Sequence, residues 1–129
     1  MSLNKLDHVN VRTAKLEQMK DFYQNALGMT VGARPPFSFP GAWLYVQDQP
    51  VIHLVGVNDQ QVLAEDDSAC SKLRLEHFAF SADGSIDDFK SRLQRVGVAH
   101  DTMNPPGTDL TQLHLRDPDG NHIHIDFQN

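Results

Sequence analysis

The chain repeats itself. In Leu6-Asp7-His8-Val9-Asn10-Val11 a histidine precedes a glycine, Gly28, by twenty residues, and in Leu75-Glu76-His77-Phe78-Ala79-Phe80 a histidine precedes Gly97 by the same twenty. Between each pair the apolar residues recur at helical spacing: Leu16, Met19, Phe22, Tyr23, Ala26 and Leu27 in the first, Ile86, Phe89, Leu93 and Val96 in the second. Self-similarity at a fixed offset is the mark of an internal repeat, and it limits the chain to folds that build one unit twice.

Each copy predicts the same order of elements. The first reads as a strand over Leu6 to Val11, a helix from Leu16 to Leu27 with Thr13 ahead of it as cap and Gly28 at its end, then strands at 30–33, 42–46 and 51–55. A Pro-rich loop, 34–41, precedes the second strand, and Asp48-Gln49-Pro50 supplies the turn between the last two. The second copy reads as strands at 75–80, 100–103, 111–116 and 122–127, with a helix ending at Gly97. The expectation is an α+β fold of two βαβββ modules, about 5–57 and 74–128, joined by a polar linker at 58–73 within one domain spanning 1–129. The helices lie on the outer side of a half-open sheet whose other face lines a cleft.

Composition narrows the partners. A net charge of −6, with no cluster of Lys and Arg, excludes the electrostatics that nucleic-acid binding requires. No apolar stretch approaches the roughly 20 residues of a membrane span, and the first residues lack the apolar centre of a signal peptide, so a cytoplasmic protein is expected. The single cysteine, Cys70, sits in a polar run and cannot form an internal disulfide.

Side chains alternate along a strand, so parity assigns faces. If Val9 and Val11, Ile52 and Leu54, Phe78 and Phe80, and Ile123, Ile125 and Phe127 face the helices, then His8, His53, His77 and His124 face the cleft. Neutral imidazole is the commonest metal-ligating side chain, which makes these four the candidate ligands of a divalent ion. The same rule sends Asn10, Trp43, Tyr45, Gln112, His114, His122 and Asp126 to that face, a mixture suited to a small-molecule pocket. A constant offset of 69 residues matches His53 with His122, whereas local context, Ile-His-Leu against Ile-His-Ile, matches it with His124. Unequal loop lengths favour His124 and leave His114 and His122 as pocket residues, groups behind the ligands, or exposed side chains.

These residues resemble the vicinal oxygen chelate superfamily, which includes glyoxalase I, bleomycin-resistance proteins, fosfomycin-resistance transferases, methylmalonyl-CoA epimerase and extradiol dioxygenases. Leu6-Asp7-His8-Val9 resembles its opening strand, Phe22-Tyr23 with Ala26-Leu27-Gly28-Met29 its first helix end, Glu76-His77-Phe78-Ala79-Phe80 the opening of its second module, and Arg116-Asp117-Pro118-Asp119-Gly120-Asn121 its closing turn. The resemblance implies metal positions at His8, His53, His77 and His124. It also implies a homodimer in which His8 and His53 of one chain join His77 and His124 of the other. His124 departs from the pattern, because metal-binding members usually place glutamate there, and glyoxalase I commonly has a glutamate or glutamine near His53. Lactoylglutathione lyase and iron-dependent ring-cleaving activities are the assignments this weakens.

Three or four imidazoles would leave an ion its full positive charge and let it stabilise an enolate, catecholate or similar oxyanion of a chelated small-molecule substrate. Zn, Ni, Co and Fe all accept imidazole. Asp126 and Tyr45 are the candidate catalytic acids or bases, while Glu76 is expected on the helix side. Asn10, Phe37, Phe39, Trp43, Gln112, His114 and His122 are the candidate substrate contacts. The competing class is a metal-free binding or sequestration protein of the bleomycin-resistance kind.

Overall fold

In a computed structural model the chain forms two compact units, Met1–Ser71 and Lys72–Asn129. The structure describes residues 2, 5–58 and 75–129, so most of the linker and Cys70 lie outside the described residues. The first unit contains β1 (Val9–Thr13), α1 (Leu16–Asn25), β2 (Thr30–Gly32), β3 (Gly41–Val46) and β4 (Gln49–Gly56). The second contains β5 (His77–Ala82), α2 (Ile86–Arg95), β6 (His100–Met103), β7 (Leu110–Arg116) and β8 (His122–Gln128). Their sheets have the same order, β1-β4-β3-β2 and β5-β8-β7-β6, with the first and last strands parallel and the other pairs antiparallel. The repeated βαβββ pattern of an α+β protein is therefore present in both units.

Each sheet buries one face against its helix. In the first unit Met19, Phe22 and Tyr23 of α1 are buried with Ala42, Leu44, Ile52 and Leu54 of β3 and β4. In the second, Leu93 of α2 is buried with Leu113, Leu115, Ile123, Ile125 and Phe127, and the Phe89 ring meets Phe127 edge-on at 5.8 Å. Gly28 and Gly97 take φ of 74° and 75° just beyond their helices, a conformation in which a Cβ would clash with the backbone.

Several boundaries differ from expectation for identifiable reasons. β1 begins at Val9 rather than Leu6, because its ladder with β4 starts at the Val9–Ile52 pair; His8 stands just outside the sheet. Thr13 ends β1 instead of capping α1: its buried Oγ1 accepts the Lys15 N–H at 2.9 Å, and Lys15 occupies the cap position. Pro50 lies inside β4 rather than in the turn, which is made by Gln47, at φ 55°, and Asp48. Proline is tolerated there because β1 reaches only as far as Ile52, so β4 has a neighbour on one side at Pro50, beside a bulge at Leu44/Tyr45. Among the described residues, no helix is long and apolar enough to cross a membrane.

Candidate metal centre

The register of β8 places the chemistry of the second unit. A tight turn at 117–121 launches this strand. Buried Asp117 accepts the N–H groups of Asp119 and Asn121 on Oδ1, at 3.0 and 2.9 Å, and the Asn121 amide on Oδ2 at 2.7 Å. Gly120, at φ 86°, completes the reversal. From there Ile123, Ile125 and Phe127 alternate into the core, leaving His122, His124 and Asp126 on the opposite face. Across the ladders these residues pair with His77, Ala79 and Ser81 of β5, and His124 and Asp126 pair with His114 and Gln112 of β7.

One ring nitrogen from each of His77, His122 and His124 lies within 4.8 Å of the others. Among the described residues this is the group of three or more His, Cys, Asp or Glu side chains close enough to hold a metal ion. Tetrahedral sites with metal–nitrogen bonds of about 2.0–2.1 Å hold their donors about 3.4 Å apart, so small rotamer adjustments would close the triad on an ion. His124 is buried and its Nε2 has no hydrogen-bond partner, a state that a bond to metal would satisfy. The His124 ring is stacked between His77, at 4.0 Å, and His114, at 3.8 Å. These residues fit a divalent ion.

Hydrogen bonds assign the protons on the surrounding rings. Glu76 accepts from Nδ1 of His77 and, at 3.0 Å, from Nδ1 of His122. A carboxylate can only accept, so both rings hold a proton on Nδ1, the tautomer that in a neutral imidazole leaves the lone pair on Nε2. The Glu76 carboxyl is held well down, at about 2, first by the bond from His77 and then by that from His122. His114 donates Nε2–H to Gln112 at 2.9 Å. Asp126 is half-buried, with Oδ1 lacking a hydrogen-bond partner.

The first unit contains the counterpart of this arrangement. The pair Val9–Ile52, which follows His8, corresponds to Phe78–Ile123, which follows His77, and this matches His53 with His124, as the local sequence context suggested. Trp43 opposite His53 then corresponds to His114 opposite His124. The stack recurs accordingly: His53 lies 3.8 Å from His8 and 3.9 Å from Trp43, with interplanar angles of 13° and 8°. His8 shares its Nδ1 proton with Asp7 at 2.7 Å, and His53 donates Nε2–H to the Pro50 carbonyl at 3.0 Å. Trp43 replaces one imidazole of the second unit, and Val51 stands where that unit has His122.

The remaining candidates divide by environment. Asn10 is exposed on β1 and pairs across the ladder with His53. Tyr45 donates its hydroxyl to the Ala33 carbonyl at 2.5 Å, which commits that proton to the backbone. Phe37 and Phe39 stack at 4.8 Å, with the Arg34 guanidinium 5.2 and 5.3 Å from their centres. Thus His77 and His124 are brought together with His122, while His8 stacks on His53 in its own unit. Glu76 corrects an expectation: it bonds to His77 and His122 instead of turning toward the helix side, because it precedes β5 and strand parity does not govern it. Asp117 was visible in the sequence only as part of a turn; the Asp-Pro-Asp-Gly-Asn pattern was the available signal.

The imidazoles also predict a response to acid. His53, His114 and His124 sit below the ordinary histidine value, burial being the first cause in each; neighbouring His8, His122 and His114, respectively, come next. A depressed value means that the folded state binds fewer protons than the unfolded chain. Their stabilisation is complete above about pH 6.5 and is lost as pH falls through the folded values. The lowered carboxyls Asp7 and Glu76 act in the same direction in a more acidic window. Metal-free protein is expected to unfold at lower urea at pH 5 than at pH 7.5, and an equal or higher midpoint at pH 5 would contradict this.

Comparison with known proteins follows the same fold. Residues 5–125 match the sequence profile of the Glyoxalase/Bleomycin resistance protein/Dioxygenase superfamily. Glyoxylase I 4 of Arabidopsis thaliana is 28% identical over 128 residues, covering 97% of this chain and 71% of that protein. A glyoxalase family protein from Bacillus anthracis superposes with a TM-score of 0.76 at 23% identity, covering 100% of this chain and 98% of the other. TnmS3, an antibiotic binding protein from Streptomyces sp. CB03234, gives a TM-score of 0.70 at 25% identity, with 100% and 99% coverage.

Proposed function

The chain belongs to the Glyoxalase/Bleomycin resistance protein/Dioxygenase superfamily, and from that membership we propose that it is a metal-dependent enzyme acting on a small oxygen-bearing substrate. The observation that carries this reading is the His77, His122 and His124 triad, with its orphaned His124 nitrogen. These side chains would hold Zn, Ni, Co or Fe as a divalent ion, since imidazole suits all four. When bound, the ion supplies Lewis-acid polarisation of a chelated oxygen. The substrate is one whose intermediate is an enolate or a catecholate, in isomerase, lyase or ring-cleaving chemistry.

The chain's own groups have separate tasks in this scheme. Asp126 presents a carboxylate oxygen with no hydrogen-bond partner on the His124 face, and it acts as the proton acceptor. Gln112 and His114, joined by a hydrogen bond, form a polar wall beside it. Assembly as a homodimer belongs to the same proposal.

A second reading has specific support: TnmS3 is an antibiotic binding protein, and Phe37 and Phe39, backed by the Arg34 guanidinium, form an exposed aromatic stack suited to holding a flat ligand without chemistry. Protein purified without added metal separates the two. Elemental analysis should find a transition ion, and the loaded protein should turn over a member of a panel of thiohemiacetals, acyl-CoA epimers and catechols in a chelator-sensitive way. Absence of bound metal, with small-molecule binding unchanged in His77→Ala, would leave the binding-protein reading.

A further inference from the structure

We propose that Glu76 is the positioning residue of the metal centre, one carboxylate that orients two of its three ligands. This inference rests on the metal-dependent reading above. Glu76 receives the Nδ1 protons of His77 and His122, which are direct cross-strand partners at the start of the β5–β8 ladder. Both bonds favour the same tautomer, leaving an Nε2 lone pair on each ring for coordination. An imidazole must be neutral to coordinate a metal, so Glu76 would supply the negative charge in contact with the ligand set.

Two further features distinguish Glu76 from an incidental solvent-facing acid. The Glu76 side chain is 72% exposed, so packing does not account for its placement, yet both of its oxygens are engaged by imidazoles. The repeat also provides an internal comparison. Asp7 precedes His8 as Glu76 precedes His77, and its shorter carboxylate accepts from His8 Nδ1 at 2.7 Å. Where the second unit has His122, the first has Val51. The longer acid therefore occurs in the module that offers a second imidazole to bind.

The test uses the full chain and Co²⁺ as probe, with affinity from competition against a chelator and geometry from visible absorption. Long-range ¹H–¹⁵N spectra give the histidine tautomers. Wild type should bind Co²⁺ and show Nδ1–H on His77 and His122 in the metal-free state. Glu76→Gln should weaken binding roughly 10–100-fold, the usual effect of losing a group that orients metal ligands. An amide oxygen can satisfy one Nδ1–H while its NH₂ favours the opposite tautomer on the other ring, so the spectra should move as well. Glu76→Asp should recover part of the affinity through His77. Unchanged affinity and tautomers in Glu76→Gln would overturn the role of Glu76 alone, whereas wild type that binds no Co²⁺ would overturn the metal reading and this inference together. Should the glutamine variant fail to fold, an Nε2–H tautomer at either histidine in wild type would itself overturn the proposal.

Discussion

His122→Ala is expected to lower divalent-metal affinity by two to three orders of magnitude while changing the melting temperature of the metal-free protein by only a few degrees. The magnitude follows from structural zinc sites, where about 10–16 kcal/mol shared among four ligands gives about 2.5–4 kcal/mol per ligand, or roughly 10²–10³ in affinity. The small effect on stability follows from placement. The ring lies on the polar face of β8, contacts other imidazoles and Glu76, and leaves the Ile123, Ile125 and Phe127 side untouched. Calorimetric titration of both proteins with Zn²⁺ at pH 7.5 measures the difference. Equal affinities would remove His122 from the ligand set and return it to the pocket.

The largest loss of stability from a polar substitution is expected at Asp117. Replacing it with alanine strands the backbone N–H groups of Asp119 and Asn121 and the Asn121 amide. Because Asp117 is only 5% exposed, water does not readily take the place of its carboxylate. Charged-group hydrogen bonds contribute about 1.5–3 kcal/mol each and are not additive within one turn, so a loss of about 3 kcal/mol is reasonable. For a domain of this size that corresponds to a melting temperature lower by roughly 10 °C. Asp117→Asn keeps an oxygen for the two N–H groups but turns an amide donor toward Asn121, and should lose about half as much. Thermal melts of the three proteins decide the point; a fall of only a degree or two in the alanine variant would mean that the turn holds without its carboxylate.

Much of this architecture was legible in the residues. Gly28 and Gly97 mark helix ends because the backbone there needs positive φ, and the alternation of Ile123, Ile125 and Phe127 with His122, His124 and Asp126 is a direct consequence of the pleat. The same alternation exposed His77 and His124 as candidates. It failed at Glu76, where no ladder fixes the side-chain direction and hydrogen bonding decides instead. It also gave no reason to choose His122 as a ligand, since its nearness to His77 depends on the parallel register of two strands remote in sequence. Pro50 shows the complementary limit: its place in β4 depends on where β1 stops, information that no local pattern contains.

The pairing of first and last strands has a consequence for biosynthesis. His77 and His122 are 45 positions apart in the chain, yet β5 bonds to β8 and to no other strand of its sheet. Closing such a long loop costs entropy before any sheet contact offsets it, so this ladder cannot act as an early nucleus of its module. On the ribosome, β5 must wait without its partner until β8 has been made and has emerged. On the metal-dependent reading, competence to capture an ion would be acquired at a late step, when the whole second module has been translated and folded, and an ion that binds only then would favour the completed fold over its precursors.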